Sequence, residues 1–460
     1  MKRSFVREIL EAINPDTVSF AGGLPDESLF PIEGIREATQ KALSTTSALQ
    51  YSVSGGIESL RQKIADYYTS LGVETSYEEI LITTGAQQAL DLLSRAYFRG
   101  GVTVESPAYL GALGSFAANG CPLFGARLGD IDAFCDSFLK TKRGYLMCDF
   151  QNPTGKSYDV EGRRRIGQVA EKNGGIIVED GAYMELFFRE RLPIMASFAP
   201  SNVIHVGSFS KILAPGLRLG WIRASKELLA PVLALKERAD LHTSTLSQAI
   251  ADNFWADGGF ASHIPKIREE YGKKATYLSS LLRAKIPDFR FEEPEGGMFI
   301  YGSFADGVDA KALAYACLAE GAVFVPGGEF YDGSPLSCEA RINYTHTSFE
   351  EMEKGVDIIA KVYNSYAHNS YLNNQVVQYA KKEEDGMLPS KYLHYVQTVI
   401  LSGIMSLIMS FVISFINLGF VDGFIHIWMQ AWLLAYAIAF PTLLTIFPFV
   451  RKLAIKIASK

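Results

Sequence analysis

Between residues 79 and 223 the chain alternates short apolar, β-branched runs with longer stretches that mix apolar and charged positions. The short runs predict strands at Ile80–Thr84, Val102–Val104, Tyr145–Asp149, Gly175–Glu179, Val203–Val206 and Leu219–Ile222. Helices are predicted between them over Gln87–Phe98, from near Ala108, and over Glu161–Lys172. Continuous apolar strands separated by helices are typical of βαβ units around a mainly parallel sheet. The pattern therefore predicts an α/β fold.

After residue 223 the pattern changes to long helical stretches followed by a second group of strands. Helical periodicity runs from about Lys226 to Leu282, and strands are predicted at 297–301, 322–325 and 341–344. We expect a smaller α+β domain here, which also takes in the amino-terminal arm. The predicted units are the arm and part of the small domain at 1–48, a large α/β domain at 49–265, the small domain at 266–365, a polar linker at 366–389 and a membrane domain at 390–460.

The C-terminal region is almost free of charge. Between Lys391 and Arg451 the one charged residue is Asp422. The apolar stretches 393–420 and 423–450 are each longer than the about 20 residues that a helix needs to cross a bilayer. A buried hairpin in a soluble core is the alternative, but the stretch follows a linker and has no second core to enter. We therefore expect a transmembrane helical hairpin, and the tail resembles a family of small two-span bacterial membrane proteins of unknown function.

The flanking charges predict which way this hairpin is oriented. Lys391 precedes the first span, and four basic residues follow the second, whereas the connecting turn has none. Basic residues favour the cytoplasmic side of a membrane, and the amino-terminal sequence lacks the apolar run of a secretory signal. We expect a membrane protein with two spans and a cytoplasmic catalytic body, with the bacterial inner membrane as its lipid partner.

Composition excludes several classes of protein. Hydrophobic residues make up 48% and charged residues 20% of the 460 positions, so a large core is available and a disordered chain is excluded. The net charge of −6 argues against a nucleic-acid partner, which selects for a basic excess. The five cysteines are scattered, whereas disulfide frameworks and thiolate metal sites need paired spacings. We expect reduced thiols and no metal.

The segment 207–221 is the most informative about chemistry. Lys211 follows a predicted buried strand and the hydroxyl residues Ser208 and Ser210, and Arg218 lies seven positions further on. A lysine that is partly desolvated at a strand end can keep its amine neutral enough to attack an aldehyde. Serine hydroxyls and a planar guanidinium suit a phosphate. Taken alone, the segment is equally consistent with a surface lysine in a turn.

Other strand ends offer complementary groups. Gly85-Ala86-Gln87 lies between a strand and a helix, where free amides bind anions. Asn152 and Asp180 each follow a predicted strand, with Tyr183 close behind, and ligands of α/β sheets bind at that edge. Each residue also has an ordinary structural explanation: the glycine could simply turn the chain, Asn152 could belong to an Asn-Pro turn, and Asp180 could cap a helix. These strand ends together offer a phosphate site, an amide, a carboxylate and, at Lys211, an amine. Their combination favours a single bound cofactor that uses all four groups.

These stretches, in this order, resemble the fold-type I pyridoxal-phosphate aminotransferases of class I/II, and among them the kynurenine and 2-aminoadipate aminotransferases. The resemblance covers roughly residues 1–365. It implies that Lys211 carries the cofactor and then acts as the proton-transfer base, and that Asp180 pairs with the pyridine nitrogen. The further cofactor contacts that it implies are Ala86, Gln87, Ser208, Ser210 and Arg218 at the phosphate, Tyr109 on the ring, and Asn152 and Tyr183 at the phenolic oxygen.

The resemblance also implies a dimer and a substrate clamp. Tyr51, in Leu49–Gly56, matches the tyrosine that crosses the dimer interface to the other subunit's phosphate, so we expect a homodimer. Arg341 matches the arginine that binds the substrate α-carboxylate; without the other motifs it would be a strand-end arginine in a surface ion pair. Gly23, in the loop Ala21–Pro25 that covers the substrate in this branch, and Asn152 complete the substrate-binding set.

The expected function is amino transfer between an L-amino acid and a 2-oxo acid, with 2-oxoglutarate as one partner. Two alternatives remain: a pyridoxal-phosphate enzyme of another reaction type, such as a lyase, and a catalytically altered subunit of a membrane complex. A cofactor-binding transcription regulator would need a winged helix before the body, and we expect none to fit ahead of it. The identity of the amino donor is open.

Overall fold

The structure is a computed structural model that describes residues 14, 16–332, 335, 337–368, 406–417, 419, 421, 423–430 and 432–433. The chain divides into two compact units, residues 1–373 and 374–460. The predicted α/β fold is confirmed for the first unit. The finer domain boundaries stay predictions.

A seven-stranded sheet forms the centre of the first unit. Its strands are β2 (Ile80–Thr83), β3 (Val102–Ser106), β4 (Leu123–Arg127), β5 (Arg143–Leu146), β6 (Ile176–Asp180), β7 (Val203–Ser208) and β8 (Gly220–Arg223), in the order β2-β8-β7-β6-β5-β3-β4. β8 is antiparallel to both of its neighbours, and every other pair is parallel. β2, β7 and β8 are buried along their whole length, as expected for strands that are covered on both faces.

Eleven helices of the first unit surround its sheets in the described part of the chain. They are α1 (Ile32–Leu43), α2 (Glu58–Ser70), α3 (Ala86–Tyr97), α4 (Leu110–Ala118), α5 (Ile131–Thr141), α6 (Val160–Lys172), α7 (Lys226–Ala239), α8 (Thr245–Ala256), α9 (Gly259–Lys285), α10 (Ala310–Ala319) and α11 (Phe349–His368). Several begin at a side-chain cap: Asp130, Asp159 and Ser225 each accept a hydrogen bond from an amide three residues ahead, which satisfies a free donor of the first turn.

Two smaller sheets complete the unit. β9 (Arg290–Phe291), β10 (Phe299–Ser303), β12 (Val325–Pro326) and β13 (Glu339–Asn343) form an antiparallel sheet in the order β12-β13-β10-β9. β1 (Val18–Ser19) pairs in parallel with β11 (Ala322–Val323). The amino-terminal segment is therefore held by backbone hydrogen bonds against the segment that leads into β12, which places residues 20–26 close to β13.

Three strand predictions need correction. The edge strand β4 was not predicted, because two glycines and a proline interrupt the apolar pattern at 120–125 and three of its five residues are exposed. The predicted strand Tyr145–Asp149 ends at Leu146, because the Met147 amide donates to the side-chain carboxylate of Glu105 in β3 instead of to a backbone carbonyl. The single strand predicted at 322–325 is two short strands in two different sheets.

The second unit is described at two helical segments, 406–417 and 424–430. Trp428 donates from its indole Nε1 to the Ser410 hydroxyl at 3.1 Å, and its ring meets Phe411 edge to face at 5.2 Å. In the described stretches of the chain, no helix is both long and apolar enough to cross a membrane. The predicted spans 393–420 and 423–450 lie largely outside the described residues, so the transmembrane hairpin stays a prediction.

Candidate active site

The predicted cofactor groups gather at one edge of the central sheet. The parallel strands β3, β5, β6 and β7 end there, and the connections that follow them carry the polar side chains. The antiparallel strand β8 begins at the same edge with Gly220. A Cβ atom at Gly220 would lie 2.8 Å from the Ala86 amide nitrogen. Glycine at this position therefore lets the start of α3 approach the sheet.

An anion site lies at the start of α3. Gly85 precedes the helix with φ of 79°, a conformation that glycine adopts without strain. A Cβ atom there would lie 2.9 Å from the Arg218 Nη2 atom, so the guanidinium lies against the free amides of the first turn. Ser208 accepts a hydrogen bond from the Ser210 amide at 3.1 Å. Helix amides, hydroxyls and a guanidinium together suit a phosphate.

The side chain of Gln87 is not available to bind a phosphate, because it is already hydrogen-bonded to α4. Its amide Nε2 donates to the Gly111 carbonyl at 2.8 Å and to the Ser115 hydroxyl at 2.7 Å, so the side chain binds α4. The backbone amide of Gln87 is the group that remains for an anion. The Gln87 side chain also accepts from the Tyr109 hydroxyl at 3.5 Å, which links the start of α3 to the predicted ring-stacking residue.

The Lys211 amine is buried next to two cations. Burial, together with the charges of Arg341 and Arg218, lowers the pKa of Lys211 to about 8. Its Nζ atom donates to the Gly23 carbonyl at 2.6 Å, so the amine reaches the amino-terminal loop. A pKa near 8 leaves a substantial neutral fraction at physiological pH, and the neutral amine is the form that attacks an aldehyde.

Asp180 ends β6 and is buried. Its carboxylate accepts from the Tyr145 hydroxyl at 3.1 Å and from the Ala182 amide at 3.2 Å. Burial raises the pKa of Asp180 to about 6. No cation of the described residues forms an ion pair with it. A buried carboxylate of this kind is suited to a positively charged ring nitrogen.

Arg341, Asn152 and Tyr183 form one hydrogen-bonded chain. Arg341 donates from Nη1 to the Asn152 Oδ1 atom at 2.7 Å and from Nη2 to the Ala21 carbonyl at 2.6 Å. Asn152 Nδ2 then donates to the Tyr183 hydroxyl at 3.3 Å. The Arg341 Nε atom is buried and has no hydrogen-bond partner among the described residues. Burial lowers the pKa of Arg341 to about 10, and no carboxylate of the described residues lies within ion-pair distance of its guanidinium.

In the part of the chain that the structure describes, Tyr51 does not contact the other predicted site residues of its own chain. Its side chain is 80% exposed, and its ring meets the His242 ring edge to face at 5.8 Å. The proposed role across a dimer interface therefore stays a prediction. The roles assigned to the other site residues stay predictions as well, although the contacts above bring them together at one edge.

Three partners in the site were not predicted from the sequence. They are the Ala21 carbonyl, the Tyr145 hydroxyl and the Phe299 ring, which lies 4.3 Å from the Arg341 guanidinium carbon. Tyr145 lies within an apolar strand and looked like a core residue. Phe299 lies in a strand that is distant in sequence. The Ala21 carbonyl is a backbone group, so the residue type gives no indication that it accepts a hydrogen bond.

The residues present fit pyridoxal phosphate. The cluster contains three cations, Lys211, Arg218 and Arg341, and one carboxylate, Asp180, so it has an excess of positive charge. A phosphate and a substrate carboxylate would balance that excess. The unpartnered Arg341 Nε agrees with an anionic ligand at that guanidinium, and the glycines at 85 and 220, whose Cβ atoms would fill the space near the helix amides, agree with a second anion there.

Comparison with known proteins gives two family matches. The model described as "Aminotransferase class I and II" matches residues 17–359. The model described as "Domain of unknown function (DUF2798)" matches residues 390–458.

Curated relatives and a solved structure are also similar to this chain. The 2-aminoadipate transaminase of Thermus thermophilus is 37% identical over 77% of this chain and 92% of its own length. Aromatic-amino-acid aminotransferase 1 of Thermococcus litoralis is 34% identical over 78% and 91%. The crystal structure of the α-aminoadipate aminotransferase of T. thermophilus, complexed with N-(5'-phosphopyridoxyl)-L-leucine, has a TM-score of 0.74 at 34% identity and covers 80% of this chain and 96% of its own.

Proposed function

Because the chain belongs to the class I and II aminotransferases, we propose that it moves an amino group between an L-amino acid and 2-oxoglutarate, and that its C-terminal unit tethers it to a membrane. The chain is a pyridoxal-phosphate-dependent transaminase. The identity of its substrates and the role of the tail are the parts that are proposed.

The observation that carries the proposal is that the Lys211 amine lies near the Arg341 and Arg218 guanidiniums at the edge of the sheet where Asp180 ends β6. The bound cofactor supplies the electron sink for amino transfer. Asp180 offers its buried carboxylate to the ring nitrogen, and Arg341 offers its guanidinium to the substrate α-carboxylate. The Lys211 Nζ atom lies close enough to Arg341 for that charge to lower its pKa. A carboxylate held by Arg341 would therefore present the neighbouring α-carbon to the amine that moves the proton.

The surroundings of Arg341 support a bulky apolar amino donor. The guanidinium carbon lies 4.3 Å from the Phe299 ring centre and 5.0 Å from that of Phe330, and Tyr183 meets Phe299 edge to face at 5.8 Å. Aromatic walls on a carboxylate clamp suit an aromatic or long aliphatic side chain. The panel of donors begins with the aromatic amino acids, which fit these walls, and includes 2-aminoadipate, which carries a second carboxylate, because the two curated relatives are named for these substrates.

The test is a donor panel with 2-oxoglutarate as acceptor and glutamate formation as the readout. We expect glutamate to accumulate in equal amounts with the 2-oxo acid of the donor, and Lys211→Ala to abolish both products. Release of ammonia or carbon dioxide without glutamate would favour the lyase alternative. Failure of every donor with the cofactor-loaded protein would favour the altered-subunit alternative.

The distribution of residues on the tail helices supports the tether. Ile416 and Ile425 are 74% and 70% exposed, whereas Ser410 and Ser414 are 7% and 8% exposed. Helices that pack in water bury apolar residues and expose polar ones, whereas helices in lipid bring small and polar residues together and turn apolar ones outward. The described tail residues follow the second pattern, and the apolar sequence continues on both sides of them.

We propose that the hairpin lies in a bacterial inner membrane with both ends in the cytoplasm. The full chain should stay in the membrane fraction after a carbonate wash, and a reporter fused after Lys460 should behave as cytoplasmic. A chain truncated after Gly386 should leave that fraction and keep its specific activity, because the predicted site residues all precede it. A full chain that washes off with carbonate would refute the tether without affecting the transaminase assignment.

A further inference from the structure

A second cavity, of about 270 Å³, lies outside the candidate active site. It is partly open to solvent and is lined by α2, by residues 181–191 after β6, by the end of α8 and by the beginning of α9. Of the predicted cofactor residues, Ser208 alone lines it. Its characteristic lining residues are Tyr67, Glu185, Arg191, Trp221, Trp255 and Arg268.

One side of this cavity has more positive than negative charge. Both Glu185 carboxylate oxygens lie 2.6 Å from the Arg191 Nη2 atom. Arg268 contacts the same carboxylate through Nη2 and donates from Nε to the Glu185 carbonyl at 2.6 Å. The Tyr67 hydroxyl also donates to Glu185. One carboxylate thus serves two guanidiniums, and the pair Asp149–Arg163 behind it is already neutral.

Arg191 also has an unused donor. Its Nε atom is buried and lacks a hydrogen-bond partner in the described part of the chain. Because that atom is shielded from solvent, an acceptor that enters the cavity would meet the accessible parts of the Arg191 and Arg268 side chains, which are 29% and 21% exposed. A carboxylate there would balance their excess charge.

The remaining walls are apolar and aromatic. Trp221, Trp255 and Phe260 line the cavity together with Ile212 and Met184. An engineered apolar cavity of about 150 Å³ is enough to bind benzene. The larger volume here therefore has room for a six-membered ring and a short arm that reaches the guanidiniums.

We propose that this cavity is a second binding site, for a small monocarboxylate with an apolar or aromatic body. The carboxylate meets Arg191 and Arg268, and the body lies against Trp255 and Phe260. The site is distinct from the substrate clamp at Arg341, and it adjoins the turn that carries Lys211 through Ser208 and Ile212.

The test uses 3-phenylpropionate, which has no amino or keto group and so cannot be a transaminase substrate. Two of the four tryptophans of the chain, Trp221 and Trp255, line the cavity, so tryptophan fluorescence of the cofactor-loaded protein reports on it. We expect a saturable change with 3-phenylpropionate. The uncharged 3-phenylpropionamide should bind at least about tenfold more weakly, because it loses the charge-assisted hydrogen bonds.

Variants locate the bound probe. Arg191→Met should weaken binding of the acid at least about tenfold and bring it close to that of the amide. Ala261→Phe fills the cavity from an exposed helix position and should abolish the response. Ser262→Phe, its neighbour outside the cavity, should leave the response unchanged.

The opposite results would overturn the proposal. If Arg341→Met removes the fluorescence change while Ala261→Phe keeps it, the probe binds at the substrate clamp. Equal affinity for the acid and the amide would show that the guanidiniums do not take part. Absence of a saturable response in the folded wild-type protein would show that the cavity does not bind this class of ligand.

Discussion

Replacement of Arg341 by methionine tests the substrate clamp most directly. The guanidinium is 4% exposed and has no carboxylate partner among the described residues, so its removal leaves no opposite charge stranded. Methionine is flexible and apolar and can pack against the Phe299 and Phe330 rings. Because replacing a buried charge by a well-packed apolar side chain is often neutral or stabilising, we expect the variant to fold and to bind the cofactor.

The structure gives the size of the expected effect. Burial lowers the pKa of Arg341 to about 10, and at 1.36 kcal/mol for each pKa unit the unbalanced desolvation of the guanidinium amounts to about 3 kcal/mol. A substrate carboxylate recovers part of this and adds charge-assisted hydrogen bonds of about 1.5–3 kcal/mol each. These contributions overlap, so we expect kcat/KM for the amino acid to fall between roughly 100-fold and 10,000-fold.

The assay compares an amino acid with the amine that lacks its α-carboxylate. Single-turnover reactions are followed by the absorbance of the bound cofactor. Wild type should strongly prefer the amino acid, whereas Arg341→Met should lose most of that preference and react with the amine at nearly the wild-type rate. Arg290→Met, at an exposed strand position, is the control. An equal loss with both substrates would show that Arg341 supports the fold or the cofactor, and an unchanged amino-acid rate would refute the clamp.

Four further predictions follow from the same contacts. The rate at which the cofactor-free protein rebinds pyridoxal phosphate should rise with a midpoint near pH 8, because the lowered pKa of Lys211 makes its amine neutral above that pH; a midpoint above 10 would contradict the burial of the amine. Asp180→Asn should retain the cofactor by absorbance but lose at least about 100-fold in turnover, since the ring nitrogen loses its charged partner. Mixing inactive Tyr51→Ala and Lys211→Ala proteins under subunit exchange should restore part of the activity, and no recovery would count against a shared site. Asp149→Asn should destabilise the folded protein by about 3–5 kcal/mol in thermal or denaturant unfolding, because it strands the buried Arg163 charge.

The sequence was informative about the central sheet because its strands are buried on both faces. β2, β6, β7 and β8 lie within one or two residues of their predicted positions, since continuous apolar runs carry a strong signal. The edge strand β4 has one buried residue in five and left no such signal. The pairing of β1 with β11 joins segments about 300 residues apart, and local periodicity carries no information on such a contact.

The site was predictable where side-chain chemistry follows a strand end. Lys211, Asp180 and Asn152 were predicted in this way, because the carboxyl ends of parallel strands meet at one edge, and the structure brings them to one edge of the sheet while their roles stay predictions. The hydrogen bonds that orient these side chains were not predicted. The Lys211 amine bonds to a carbonyl in the amino-terminal loop, and Arg341 bonds to another, and backbone acceptors look alike in every sequence.

Two buried charge pairs of the first unit differ from the charged groups of the candidate site in how they are neutralised. Asp149 pairs with Arg163 at 2.6 Å, and Asp26 pairs with Lys274 at 2.6 Å; each charge is neutralised within the fold, as stable buried ions require. Arg341 and Asp180 are 4% and 1% exposed, Lys211 is partly buried, and none of the three has an opposite charge within ion-pair distance among the described residues. Because a buried charge without a partner is stabilised by a ligand of opposite sign, this difference agrees with the predicted roles of these three residues in holding the cofactor and the substrate, and those roles stay predictions.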